Sequence, residues 1–221
     1  MSYSQGGSTY RDREDAGKAL ASSLEEYRKE HLLLLAIPNG GVPVACVISK
    51  ELSVDLYLMI VRKLQIPDNP EAGFGAVTSD GHLLLNHDLI RSISLSQTAI
   101  ERQKEKTIES IRKRQKFFGG RASLPPLRGR TLVLVDDGLA SGFTMAAAVE
   151  SVKKRGAKGV IIAVPTASMS AYRRLEAKVD RLICPDVRDR HIFAVADAYE
   201  NWYDVSQEEV LGLLMSLPSP E

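Results

Sequence analysis

Short apolar runs recur along the chain at residues 32–37 ("LLLLAI"), 54–61 ("VDLYLMIV"), 131–136 ("TLVLVD"), 159–165 ("GVIIAVP") and 179–184 ("VDRLIC"). Each is apolar at consecutive rather than alternating positions, the pattern of a strand covered on both faces. Helical spacing fills the intervals, at 42–52, 144–155 and 168–175. Buried strands alternating with helices predict an α/β doubly wound fold with a mainly parallel sheet.

Three segments stand outside the alternation. Residues 11–29 carry helical periodicity at Ala16, Ala19, Leu20, Leu24 and Tyr27, which predicts a helix on the outside of the sheet. Residues 74–86 ("FGAVTSDGHLLLN") read as two short strands around a Ser-Asp-Gly turn. Residues 96–118 predict a long helix with Ile100, Ile108 and Ile111 as its apolar stripe. The hairpin and helix together form an insertion at about 72–120, closed by the Pro/Gly hinge "GRASLPPLRGR".

Length and charge narrow the possibilities. A chain of 221 residues, 44% apolar, supports one sizeable core, so a single domain over 1–221 with its core at about 30–185 is expected. Lys and Arg total 29 against 28 Asp and Glu, so no global field draws the chain to nucleic acid or a membrane, and neither is expected as a partner. Cys46 and Cys184 lie in apolar surroundings without metal-ligand spacing, the opening "MSYSQGGSTYRDRED" lacks a signal-peptide core, and "LLLLAI" is too short to span a bilayer. A cytoplasmic location is expected. Arg112, Lys113, Arg114 and Lys116 raise an RNA-binding reading of the long helix, but Glu101, Glu105 and Glu109 break up the charge, and a solvated face is the expectation.

Residues 132–144, "LVLVDDGLASGFT", carry the densest candidate chemistry. At the carboxyl end of a parallel strand the following loop opens onto the crevice where such folds bind ligands. Asp136 and Asp137 sit at that mouth; Gly138, Ala140, Ser141 and Gly142 let the backbone bend tightly, and Ser141 and Thr144 bring hydroxyls beside the unpaired amides that open the next helix. The loop therefore reads as a phosphate cradle. A charge-assisted hydrogen bond to phosphate contributes about 1.5–3 kcal/mol and the helix dipole only about 0.3–1, so the donors dominate. Paired carboxylates would repel a phosphate, which leaves them sugar hydroxyls or a hydrated Mg²⁺ to hold.

Other readings of this stretch fit less well. A P-loop NTPase needs GxxxxGK[ST], which the chain lacks. A nucleophile elbow needs Gly where Leu139 stands, and a helix cap needs only one carboxylate.

The stretch resembles the thirteen-residue phosphoribosyl diphosphate (PRPP) motif of the type I phosphoribosyltransferases, with Ser141 where Thr is commoner. "PNGGVPVA" (38–45) resembles that family's pyrophosphate loop, and "IVRK" (60–63) its basic pair. "RDREDAGKALA", "NPEAGFGAV" and "FAVADAYENWYDVSQEEV" extend the likeness, over nearly the whole chain, to stand-alone bacterial and archaeal phosphoribosyltransferases.

The resemblance implies displacement of diphosphate from C1 of PRPP by a small nitrogenous acceptor, with Mg²⁺ as cofactor and a homodimer as a possible assembly. Gly138, Leu139, Ala140, Ser141, Gly142, Phe143 and Thr144 would bind the 5-phosphate. Asp136 and Asp137 would be catalytic, holding the ribose hydroxyls, and would meet the metal through water. Asn39, Gly40, Gly41, Arg62 and Lys63 would take the pyrophosphate, Gly40 and Gly41 by letting backbone amides approach it. Asn39 stands where the group usually has Arg, which removes a charge from the pyrophosphate side; Ala140 stands where 6-oxopurine enzymes carry an acid, which argues against hypoxanthine or guanine as acceptor. Both departures keep a non-catalytic PRPP sensor open as the alternative.

A hood over the acceptor would come from the N-terminal segment, from 186–205, or from both. Phe193, Tyr199 and Trp202 could stack on a base, although core or interface positions suit Trp202 and Tyr203 better. Residues 64–75, with Glu71, Gly73 and Gly75, are a candidate mobile lid that Pro67 and Pro70 would stiffen. His82 and His87 lack metal spacing and read as surface residues.

Overall fold

The computed structural model describes residues 7–28, 30–67, 69–190 and 192–219. The first six residues of the opening stretch, His191 within the candidate hood and the side chain of Glu71 in the candidate lid lie outside the described residues.

The central sheet is built from five parallel strands, β1 (Leu32–Ala36), β2 (Leu56–Leu58), β6 (Thr131–Val135), β7 (Gly159–Ala163) and β9 (Arg181–Ile183), in the spatial order β2-β1-β6-β7-β9. Every residue of β1 and β6 is buried, as their uninterrupted apolar runs require. Alternation along them separates two cores. Leu34, Ala36, Val133 and Val135 face one side of the sheet, and Leu33, Leu35, Leu132 and Leu134 the other.

Helix α2 (Gly41–Leu52) contributes to the first core, and α5 (Phe143–Lys154) and α6 (Met169–Glu176) to the second. Helices thus cover both faces, the doubly wound arrangement expected. Helix α1 (Arg13–Leu24), N-capped by Asp12, packs chiefly on α2, with Leu20, Ala21 and Leu24 in the same core as β1. Gly17 sets that approach: a Cβ there would sit 2.7 Å from Cβ of Val47.

The run 54–61 is not one strand. Strand β2 stops at Leu58, Met59 N–H still donates to Ala36 O, and Ile60 O then accepts from Ser79 N–H, which hands the chain to a separate antiparallel sheet. That sheet comprises β3 (Val61–Ile66), β4 (Asn69–Thr78) and β5 (Leu83–Leu85). Arg62 and Lys63 therefore lie within β3 and not beyond a parallel strand. The candidate lid 64–75 is largely a β3–β4 ladder, with register shifts at Leu64/Gln65 and Gln65/Ile66.

After the short α3 (His87–Ser92), α4 (Gln97–Phe118) starts at Ser96, whose side chain accepts from Ala99 N–H, and packs on β3 and β4. Its Ile100 and Ile111 are buried, and Arg112, Lys113 and Lys116 are exposed as a solvated face requires; Arg114 turns inward. His82 is not a surface residue either. Its side chain is only 11% exposed, with Nε2 3.2 Å from Glu150 and Nδ1 3.2 Å from Lys154 Nζ. His87 is exposed.

Strands β8 (Thr166–Ser168) and β10 (Asp186–Arg188) pair beside the main sheet, and α7 (Gln207–Met215) packs on α2. The stretch before α1 and the stretch after β10 clasp each other. Tyr10 N–H donates to Ala198 O at 2.9 Å, Glu200 N–H to Tyr10 O at 2.9 Å, and the buried Arg188 holds Asp186 at 2.7 Å and Gly7 O at 3.2 Å. Cys46 and Cys184 are free thiols; burial pushes Cys46 up to about 11. No helix among the described residues is long and apolar enough to cross a membrane.

Candidate functional site

Strand β6 ends at Val135 and delivers Asp136 and Asp137 to the carboxyl edge of the sheet, between the loops that follow β1 and β7. The loop after β1 is stitched to it through Ile37 N–H to Val135 O at 2.9 Å, and its Pro38–Asn39 peptide is cis. Gly40 lies so close that a Cβ there would overlap the Asp137 carboxylate; one at Gly41 would come within 2.6 Å of Val135 O. The two glycines thus permit the loop to touch the acid pair. Gly41 N–H itself is donated to Ile37 O at 3.1 Å.

Asp136 Oδ1 accepts Asp137 N–H at 2.9 Å. Burial, then the neighbouring Asp137 charge, raises the Asp136 carboxyl well above the ordinary carboxylate range. Burial raises Asp137 too, opposed by Arg13. Arg13 sits at the start of α1, 5% exposed, and donates from Nε at 3.0 Å and Nη2 at 2.9 Å to Asp137 Oδ2. Its Nη1 donates to Tyr203 O at 3.0 Å, and its guanidinium lies 4.0 Å from the Trp202 ring centroid. Tyr199, buried, donates its hydroxyl to Asp137 O at 2.7 Å, and burial followed by the Asp137 charge raises its phenol. Trp202 thus meets Arg13, Tyr199 belongs to the clasped core, and Phe193 is half-buried.

The loop 138–142 is pinned on one side. Leu139 N–H donates to Thr166 O and Ser168 N–H to Leu139 O, both at 2.9 Å, so the Leu139 amide is engaged within the protein and not open to a phosphate. A Cβ on Gly138 would approach Val195 Cγ1 to 2.5 Å. Gly142, at φ +73°, is the residue before α5, and no side chain caps that helix. Among the described residues the first amides of α5 therefore have no side-chain cap, and they follow the exposed Ala140 and Ser141. Arg174 lies over the Phe143 ring at 4.4 Å.

On the far side of the acid pair Asn39 donates from Nδ2 to Val205 O at 2.7 Å, and its Oδ1 accepts from Arg114 Nη2. Arg62 and Lys63 are exposed on β3. Among the described residues no three His, Cys, Asp or Glu side chains converge as a metal cage. Two adjacent carboxylates are the donor set that suits Mg²⁺, which keeps several waters and binds through one or two carboxylates plus phosphate oxygens.

Acids at a strand mouth thus stand beside the start of α5 on one side and the Pro38–Gly41 loop on the other. Residues 8–201 match the phosphoribosyl transferase domain family. The chain belongs to that family. Two Mycobacterium tuberculosis proteins, from different strains and each named "Putative phosphoribosyl transferase", are 37% identical over 204 residues, covering 92% of this chain and 46% of each relative. The chain thus spans about half the length of the curated relatives it matches. A crystal structure of the protein TT1426 from Thermus thermophilus superposes with a TM-score of 0.77 at 34% identity, covering 93% of this chain and 97% of the other. The AQ2163 protein from Aquifex aeolicus shares the fold at 13% identity and a TM-score of 0.51, covering 81% of this chain and 75% of that one.

Arg13, to which the sequence assigns no role, and Arg114, expected on a solvated face, are the arginine side chains that the structure brings to Asp137 and Asn39. The signal was available: each extends the apolar stripe of its helix, Arg13 preceding Ala16, Gly17 and Leu20, and Arg114 between Ile111 and Phe118.

Proposed function

We propose that this domain binds Mg-PRPP across the edge of β6 and transfers its phosphoribosyl group to a small nitrogenous acceptor. The observation that carries the reading is the Asp136–Asp137 pair set between the uncapped start of α5 and the Pro38–Gly41 loop. The open amides of Ser141–Thr144, with the Ser141 and Thr144 hydroxyls, anchor the 5-phosphate. Asp136 and Asp137 accept from the ribose hydroxyls and stabilise positive charge as it develops on the ring.

The acceptor nitrogen's lone pair forms the new bond to C1 while the electrons of the C1–O bond leave with diphosphate. Mg²⁺ would neutralise the departing oxygens, and Asp136 and Asp137 would hold it through water. Arg62 and Lys63 approach the diphosphate from β3, and the clasped segments around Tyr10 and Tyr199 roof the acceptor side, completing one domain with its hood. In this reading the protein is cytoplasmic, and a homodimer is the expected assembly.

The test is a screen of nucleobases for PRPP-dependent pyrophosphate release, with and without Mg²⁺. Release with one base, abolished by chelation, is expected. One observation favours the second reading, a PRPP sensor without turnover: Arg13 already occupies Asp137 Oδ2. That reading predicts PRPP binding by calorimetry and no pyrophosphate release with any base.

A further inference from the structure

Arg114 is unusually placed for an arginine on a long surface helix. The turns around it are buried through Ile111 and Phe118, its guanidinium lies 5.6 Å from the Phe118 ring centroid, and Nη2 donates to Asn39 Oδ1. Its Nε is buried and has no hydrogen-bond partner among the described residues. Buried donors are nearly always satisfied, the more so on a charged group, so an orphaned guanidinium N–H points to an absent acceptor.

The surroundings indicate the sign of that acceptor. Among the described residues no ion pair joins a carboxylate to Arg114 or to Arg62, and the Arg62 charge instead acts on Arg114, which burial and that repulsion lower from its ordinary value. Two like charges converge where α4 packs on β3, beside a loop, "PNGG", that contains no cation of its own. Asn39 aims the arrangement: with Nδ2 fixed on Val205 O, its Oδ1 is turned toward Arg114. Such a pair is a receptor for a polyanion, since fork-shaped guanidinium groups bind phosphate oxygens through parallel N–H bonds.

We propose that Arg114, reaching from α4 and positioned by Asn39, is a diphosphate-binding residue of this site, acting with Arg62 to supply the positive charge that the loop after β1 lacks. This rests on the phosphoribosyl transfer reading for the identity of the ligand, but not for the anion-binding geometry. The helix of the insertion thereby becomes part of the substrate pocket.

Isothermal titration of the full chain with inorganic pyrophosphate in Mg²⁺, and separately with ribose 5-phosphate, tests the assignment. Arg114→Gln is expected to weaken pyrophosphate binding about tenfold or more, the worth of one charge-assisted contact, and to leave ribose 5-phosphate within about twofold. Arg114→Lys should fall between the two. If the Gln variant does not fold, the Lys variant decides by the same contrast between ligands. Arg112→Gln, two positions away and exposed, should bind both ligands as the parent does. Pyrophosphate affinity unchanged in Arg114→Gln, equal losses for both ligands, or a parent protein that does not bind pyrophosphate would each overturn the assignment. A parent that binds pyrophosphate but not ribose 5-phosphate would leave Arg114 in place and sink the ribose reading instead.

Discussion

Arg13 stands where the apolar stripe of α1, continued one turn toward its start, would present a small apolar residue to α2. The stripe runs through Ala16, Gly17, Leu20, Ala21 and Leu24, all buried. The departure is compensated by Asp137, Tyr203 O and the Trp202 face, which take up the guanidinium. Breaking one partner of a buried pair strands the other, so Arg13→Ala should destabilise the protein by about 3 kcal/mol in urea unfolding. Arg13→Lys should recover only part of this, lacking the fork.

Asp136 behaves in the opposite sense. Its folded-state carboxyl titrates above the unfolded value, so the native state holds the proton more readily and stability falls as pH rises through that window. Asp136→Asn should therefore raise stability at neutral pH by about 1 kcal/mol, roughly 2–4 °C in Tm, in metal-free buffer, and flatten the slope of stability against pH. A lower Tm in that variant would contradict the direction of the shift.

At the scale of elements, the strand-to-helix junctions show what a sequence discloses. The central strands and α2, α5 and α6 were legible because unbroken apolar runs fix buried strands and 3.6-residue spacing fixes the helices against them. The switch from β2 to β3 was not, because Met59 and Ile60 are buried and apolar like their neighbours and no Gly or Pro marks the change of sheet. Strands β8 and β10 escaped for a different reason: each is three residues long, and Thr166, Ser168, Asp186 and Arg188 are polar residues buried by partners distant in sequence.

The candidate site divides along the same line. Its acid pair and small-residue loop are contiguous and were readable, while Arg13 and Arg114 reach it through tertiary packing. The α5 junction itself is testable. Gly142 adopts φ +73° with Ala171 Cβ 3.3 Å from where a Cβ would stand, so Gly142→Ala should cost about 1–2 kcal/mol by denaturant unfolding. It should also weaken ribose 5-phosphate binding by tilting the first amides of α5.

At the scale of the molecule, the surroundings of the acid pair gather contributions from remote parts of the chain: α1, the loop after β1, α4, the β6–α5 junction and the stretch around Tyr199. The two sheet faces are closed separately, yet α1 and the stretch around Tyr199 both bond Asp137 at the carboxyl end of β6, and α4 bonds the loop after β1 beside it. The pairing of Tyr10 with Tyr199 has a practical consequence. Tyr199 holds the Asp137 carbonyl, and its own backbone is propped by the strand-like stretch that leads into α1. Deleting Thr9 and Tyr10, far from Asp137 in sequence, should act as a lesion at the acid pair, lowering ribose 5-phosphate affinity in calorimetry along with Tm. Truncations of this chain should therefore keep Thr9 and Tyr10.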